Sequence, residues 1–220
     1  MKAGVNALGY NKVLDKLSRR IVVARLGVPA THAVLVGISG IDGSGKSFVS
    51  AKLADTLGVK SLNVAVISAD DWLNLPEVCI NPGNYAEHLY EHAIRFDEMF
   101  ERLIVPPKQT REINITSDCA DAKATTFRRH RYAFCDIDIV LLEGILLFRR
   151  PYRDHFDVHV WVDCSFKCAL ERAIERGQEG LPPAETIKAF ATIYFPAQRI
   201  HLARDNPREA ADCIFANDTL

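Results

Sequence analysis

The chain has 220 residues, 48% of them hydrophobic and 25% charged, which suffices to bury one medium core and leaves too little for a second full domain. Its 27 Lys and Arg against 28 Asp and Glu give a formal charge of -1, so no overall positive field draws it to nucleic acid or an anionic membrane, and any phosphate recognition has to be local. The six cysteines, Cys79, Cys119, Cys135, Cys164, Cys168 and Cys213, lack C-x-x-C spacing, which predicts a reduced intracellular chain, assigned here to the cytoplasm.

Residues 1–30 read as an N-terminal helical extension, with no apolar run of membrane-spanning length and no signal-peptide pattern. The segment is basic and amphipathic, and it is expected to be a surface helix; an organelle transit segment is the other reading. Residues 31–220 then read as one domain. Five short runs follow in order, "HAVLVGIS", "LNVAVIS", "IDIVLLE", "DVHVWVD" and "ADCIFAN", each nearly continuously apolar, as strands buried on both faces of a parallel sheet are. Between them lie helical patterns at Lys46 to Leu57, Tyr85 to Leu103, Phe166 to Arg176 and Ala184 to Arg204. The alternation predicts an α/β, three-layer architecture with right-handed crossovers. One interval, Arg111 to Phe134, turns through polar residues and is expected to be a β-hairpin excursion at the carboxyl edge of the sheet.

Right after the first strand comes Gly40-Ile41-Asp42-Gly43-Ser44-Gly45-Lys46-Ser47, which satisfies G-x-x-x-x-G-K-[ST] in the strand-to-helix context that its chemistry needs. Glycines let the backbone curl so that successive N–H groups face phosphate oxygens at a helix N-terminus. Gly40, Asp42, Gly43, Ser44, Gly45, Lys46, Ser47 and Phe48 are therefore candidates to bind a nucleoside triphosphate, with Lys46 reaching the β- and γ-phosphates and Ser47 offering a hydroxyl to Mg²⁺. The expected fold is that of a P-loop NTPase.

A P-loop is common to kinases, switch GTPases, motors and transporters. No N-K-x-D for guanine, no L-S-G-G-Q and no apolar strand ending in Asp-Glu occurs in the sequence. Instead "LNVAVIS" runs into Asp70-Asp71, and "IDIVLLE" ends in Glu143. Both acids would emerge at strand carboxyl ends beside the loop. Asp70 is the candidate base for an acceptor hydroxyl and a candidate metal neighbour, and Glu143 the metal-holding carboxylate; Asp71 reads as an N-cap or solvated neighbour. Arg172 and Arg176, four apart on one helical face, would meet charge on a transferred phosphoryl, and "GQEGLPP" after them has hinge chemistry or is a plain helix–helix loop.

Taken together, "GISGIDGSGKS", "VISADDW", "VLLEGILLF" and "ALERAIERG" resemble the uridine kinase and phosphoribulokinase family of P-loop small-molecule kinases, in order from about residue 34 to the C-terminus. The resemblance implies Asp70 as base, Glu143 to Leu146 as the motif after the central strand, and Arg172 with Arg176 leading into a helical lid over ATP, at about residues 172–188. "YFPAQ", Tyr194 to Gln198, looks like the family's stretch after the lid. It implies ATP and Mg²⁺ as cofactors, a small-molecule acceptor, and a homo-oligomer, since members are often dimers or tetramers.

The acceptor side departs from the uridine kinase pattern. "NPGNYAEHLYEHAIRFDEMF" lacks the expected D-x-P-x-A-F-D order, "FRRHRYAF" puts three arginines around His130, and Gln178 stands where an Arg is usual. Arg128, Arg129 and Arg131 would suit an acceptor already bearing phosphate or carboxylate, as in phosphoribulokinase-like or glycerate kinase-like members, or they are a solvated hairpin face. Tyr132 would stack on a ring or pack the hairpin, and Trp72 would wall the acceptor pocket or fill the core. His88 and His92 share a helix face without a third ligand; Asn217-Asp218 would approach the adenine. The expectation is a kinase of a nucleoside, uridine or cytidine. Its rivals are a sugar phosphate, glycerate or pantothenate kinase, and a nucleotide-dependent switch that phosphorylates no metabolite.

Overall fold

The computed structural model describes residues 6–79, 83–120, 124–177 and 180–218, with side chains from residue 10. Gln178 lies outside the described residues. Helix α1 (Asn6–Gly27) leads into β1 (Val34–Gly40), α2 (Lys46–Gly58) and β2 (Val64–Ser68). A single 3₁₀ turn at Ala69–Asp71 follows, then α3 (Pro76–Cys79), α4 (Tyr85–His92), α5 (Phe96–Met99), a π-turn at Phe100–Ile104, and α6 (Pro107–Thr110). The hairpin strands β3 (Ile113–Cys119) and β4 (Arg128–Phe134) precede β5 (Ile139–Gly144), α7 (Arg150–Arg153) and β6 (Val158–Asp163). The chain closes with α8 (Phe166–Arg176), α9 (Pro183–Ala189), a π-turn at Phe190–Tyr194, α10 (Phe195–Asp205) and β7 (Cys213–Ala216).

The five apolar runs are the five strands of one sheet, in the order β2-β5-β1-β6-β7 with every pair parallel. The central strands β1 and β5 are buried along their whole length. The edge strands correct the expectation of burial on both faces: Val66 of β2 and Ile214 of β7 are exposed, because an edge strand has a neighbour on one side only. Alternate β1 residues feed two cores. Val34, Val36 and Ile38 meet Leu53 and Leu57 of α2 and Leu14, Leu17 and Ile21 of α1, while Leu35 faces the opposite layer. The N-terminal helix is thus docked on the sheet, each of its buried aliphatic side chains contributing about 1.5–3 kcal/mol. Among the described residues no helix is long and apolar enough to cross a membrane.

Two helices differ from their sequence reading. The pattern from Tyr85 to Leu103 breaks at Ala93-Ile94-Arg95, where the backbone leaves the helix to pair with the loop after β2: Asn74 N–H donates to Ala93 O at 2.9 Å and Arg95 N–H to Trp72 O at 3.0 Å. Tertiary pairing outweighs helical periodicity here. The pattern from Ala184 to Arg204 is interrupted by the π-turn at Phe190–Tyr194, just before Pro196, whose missing N–H makes an uninterrupted ladder costly.

The segment from Arg111 to Phe134 is a hairpin: β3 and β4 pair antiparallel, with Ile115 opposite Tyr132. It forms its own two-stranded sheet, joined to the body through the Trp72–Ala120 bridge.

Candidate active site

The site grows from strand register. Glu143 of β5 sits opposite Ile38 of β1 and Ser68 of β2, so the carboxyl ends of β1, β5 and the edge strand β2 converge. The P-loop leaves β1 there and Asp70 leaves β2 there. Gly43 and Gly45 have φ of 77° and 92°, conformations that strain any residue with a Cβ. A Cβ on Gly43 would also lie 2.5 Å from Ala169 O, and one on Gly45 would strike the Asn217 amide. The loop is a cradle that larger side chains would fill.

Three distant side chains hold this loop. Gln198 Oε1 accepts the Asp42 N–H at 3.1 Å. Asn217 Nδ2 donates to Ser44 O at 2.7 Å. Arg172 donates to Ser44 O at 3.3 Å and to Gly43 O at 3.5 Å, and its other arm to Asn217 O at 2.6 Å. Lys46 is buried and its Nζ donates to Ile41 O at 3.0 Å, which parks the ammonium inside the loop.

Beside the loop, Glu143 is buried. Its Oε1 accepts from Ser47 Oγ at 3.2 Å and from Ser68 Oγ at 2.8 Å, while its Oε2 is buried without a hydrogen-bond partner. An orphaned carboxylate oxygen next to a P-loop hydroxyl fits a hard divalent cation such as Mg²⁺. Asp70 is exposed to solvent at the cleft while many protein atoms stand within reach of its carboxyl. Burial, with Glu143, Asp42 and Asp71 adding to it and Lys46 opposing it, pushes its carboxyl up to about 6.

One cleft of about 460 Å³ gathers these groups: Asp42, Gly43, Gly45, Lys46, Ser47, Phe48, Asp70, Glu143, Arg172 and Arg176 all line it, as do Glu175 and Asn217. Arg176 lies on the rim, 4.0 Å from the Asp42 carboxylate. Gly40 lies beneath the loop against Val162, and Ser44 is buried under it.

The acceptor candidates lie elsewhere. Trp72 is fully buried, stacked on Tyr132 and lying under the Arg95 guanidinium. Of its two readings, pocket wall or core, this is the core: the chain turns it inward after β2, at the joint between hairpin and body. Tyr132 is likewise buried in hairpin packing, its hydroxyl 3.5 Å from Cys119 Sγ. Arg128 pairs with Asp71 at 2.9 Å and Arg129 with Asp118 at 3.7 Å, both largely exposed; neither lines the cleft. His88 and His92 contact each other's rings, with His88 Nε2 2.6 Å from Val78 O. Asn217 grips the P-loop, where the sequence suggested the adenine.

Ser68, Glu175 and Gln198 were missed as site residues. Gln198 stood inside "YFPAQ", but nothing local indicates that it reaches a loop 156 positions away.

Comparisons with known proteins agree with this geometry. A curated uridine kinase from Alkaliphilus metalliredigens is 26% identical over 182 residues, 80% of this chain and 84% of that protein. A structure described as a possible uridine kinase from Bacillus stearothermophilus superposes with a TM-score of 0.71 at 21% identity, covering 93% of this chain and 98% of that one. The D-glycerate 3-kinase from Cryptococcus neoformans has a TM-score of 0.60 at 11% identity, over 84% and 86% of the two chains. Residues 35–180 match the model of the phosphoribulokinase / uridine kinase family, and with the P-loop, Glu143 and Asp70 meeting at the carboxyl ends of a parallel sheet, the chain belongs to that family of small-molecule kinases.

Proposed function

We propose that this kinase uses ATP and Mg²⁺ to phosphorylate a hydroxyl of an uncharged small metabolite, a nucleoside such as uridine or cytidine. The observation that carries the reading is that Asp70 shares one cleft with Lys46, Ser47 and Glu143. The P-loop amides bind phosphate oxygens, and Lys46 swings from the Ile41 carbonyl to the β- and γ-phosphates. Ser47 and Glu143 would hold the metal, which when bound neutralises charge on the phosphate oxygens. Asp70 orients the acceptor hydroxyl and takes its proton as the acceptor oxygen bonds to the γ-phosphorus and the β–γ bridging bond breaks, leaving ADP. A carboxyl with a pKa of about 6 is mostly ionised above neutrality and a stronger base than an ordinary Asp. Arg176 at the rim and Arg172 below it meet the charge of the transferred group. The lid at about residues 172–188, of which 178 and 179 lie outside the described residues, would turn on the hinge chemistry of Gly177 and Gly180.

One observation favours an uncharged acceptor over a sugar phosphate or glycerate: Arg128 and Arg129 are engaged by Asp71 and Asp118 and do not line the cleft. The uridine kinase relatives point the same way.

The test is acceptor-stimulated ADP release with ATP and Mg²⁺, across nucleosides, pentose phosphates, glycerate and pantothenate, run beside Asp70→Asn. A nucleoside response lost in the variant supports the reading. A response to anionic acceptors alone refutes the nucleoside assignment. Nucleotide binding with no acceptor response refutes the kinase reading in favour of a switch.

A further inference from the structure

Behind the P-loop, outside the catalytic cleft, three ligand-type atoms converge. Cys164 Sγ, Cys168 Sγ and a carboxylate oxygen of Asp218 all lie within 4.8 Å of one another. They come from three places: the residue after β6, the first turn of α8, and the segment after β7. We propose that these side chains form a site for a soft divalent cation of the Zn²⁺ class, with water in the fourth position.

The donor set selects the metal. Two thiolates and one carboxylate suit Zn²⁺, Cd²⁺ or Co²⁺ and do not suit Mg²⁺, which takes an all-oxygen octahedron. The spacing is near that of a loaded site. Zn–S bonds of about 2.3 Å at tetrahedral angles put two sulfurs about 3.8 Å apart, so side-chain rotation of about 1 Å closes the set.

The outer contacts that orient metal ligands are already present. Ser165 N–H donates to Asp218 Oδ1 at 2.7 Å, which fixes the carboxylate and leaves its other oxygen to coordinate. The Arg172 guanidinium approaches Cys164 Sγ at 3.6 Å and would support a thiolate there. All three ligands are at least partly open to solvent, so an ion has a way in. Coordination releases the two thiol protons.

The position gives such an ion a consequence. Arg172, which touches Cys164, also holds the Gly43 and Ser44 carbonyls, and Asn217, next to Asp218, holds Ser44 as well. A metal would clamp the end of β7 to α8 and stiffen the two side chains that brace the P-loop from behind.

The experiment is Co²⁺ titration of the fully reduced full chain, without nucleotide, followed by Zn²⁺ displacement. One equivalent of Co²⁺ should produce thiolate-to-metal charge-transfer absorption and tetrahedral d–d bands, both abolished by Zn²⁺. Cys168→Ser should lose them, Asp218→Asn should weaken binding, and Cys135→Ser, at an exposed cysteine remote in sequence, should leave them unchanged. A second measurement guards against variants that fail to fold: in the wild-type chain, Zn²⁺ should protect Cys164 and Cys168 from alkylation, read by mass spectrometry. Absence of the bands with both thiols still alkylated, or bands that persist in a folded Cys168→Ser, would overturn the site.

Discussion

The two ends of the cleft are built by different means. At the phosphate end, the carbonyls and amides of the P-loop are held by Gln198, Arg172 and Asn217, side chains from three elements that are themselves anchored in the body. At the acceptor end, the loop after β2 meets the hairpin through an exposed Arg128–Asp71 pair and the Trp72–Tyr132 stack, with short helices around it. The P-loop is braced by part-buried side-chain bonds without any ligand, whereas the hairpin joint combines a buried aromatic stack with exposed ion pairs, which are worth about 0.2–1 kcal/mol each.

The sharpest test of that contrast is Asp70→Asn, where the two ends meet. It should lower kcat by about 10²–10⁴-fold through loss of the base while nucleotide affinity, measured by titration, stays within a few-fold. The same substitution should raise the melting temperature at pH 7–8. A carboxyl whose folded pKa is raised, here to about 6, binds more protons when folded. Stability is therefore greatest below the unfolded pKa of about 4 and falls as pH rises toward 6. Since Asp70 opens to solvent, the penalty relieved is about 1 kcal/mol, or about 2–4 °C.

Next in size, Gln198→Leu leaves the Asp42 N–H buried without its acceptor. That should cost about 1–3 kcal/mol of stability and weaken ATP binding about tenfold by calorimetry, with the acceptor KM little changed. If instead the acceptor KM moved more than the ATP affinity, the division between the two ends would fail.

The pH profile sharpens the picture from the chemical side. With Asp70 as base, kcat/KM should rise about tenfold per pH unit below an apparent pKa of about 6 and level off above it. An enzyme without that limb uses another base. The smallest effect belongs to Arg128→Ala, which should shift stability by less than about 1 kcal/mol in chemical denaturation. A large loss would mean that the acceptor end is as firmly built as the phosphate end.

What was legible in the sequence divides along the same line. The P-loop, the five strands and α8 announce themselves through local pattern, because glycine conformations and continuous apolar runs are properties of neighbouring residues. Gln198 and Asn217 do not, since their partners are 156 and 173 positions away and polar residues in a helix or past a strand carry no mark of destination. Trp72, which follows two acids, read equally as a pocket wall or as core, and only the antiparallel hairpin, with Tyr132 stacked against it, decides for the core. The break at Ala93 to Arg95 was hidden for a similar reason: Trp72 O and Asn74 N–H, about twenty residues upstream, claim backbone groups that periodicity had assigned to a helix.

The bond from Asn217 to the Ser44 carbonyl also sets an order of events during synthesis. The P-loop emerges early, but its brace is 173 positions behind it, and at about 5–20 residues per second a ribosome takes roughly 10–35 s to deliver it. Through that interval the nascent chain carries a phosphate-binding loop without its full support, on a parallel sheet whose β7 edge has yet to form. Nucleotide binding then reports completion of the sheet, and a chain shortened before Asn217 should bind nucleotide poorly however well its first half has folded.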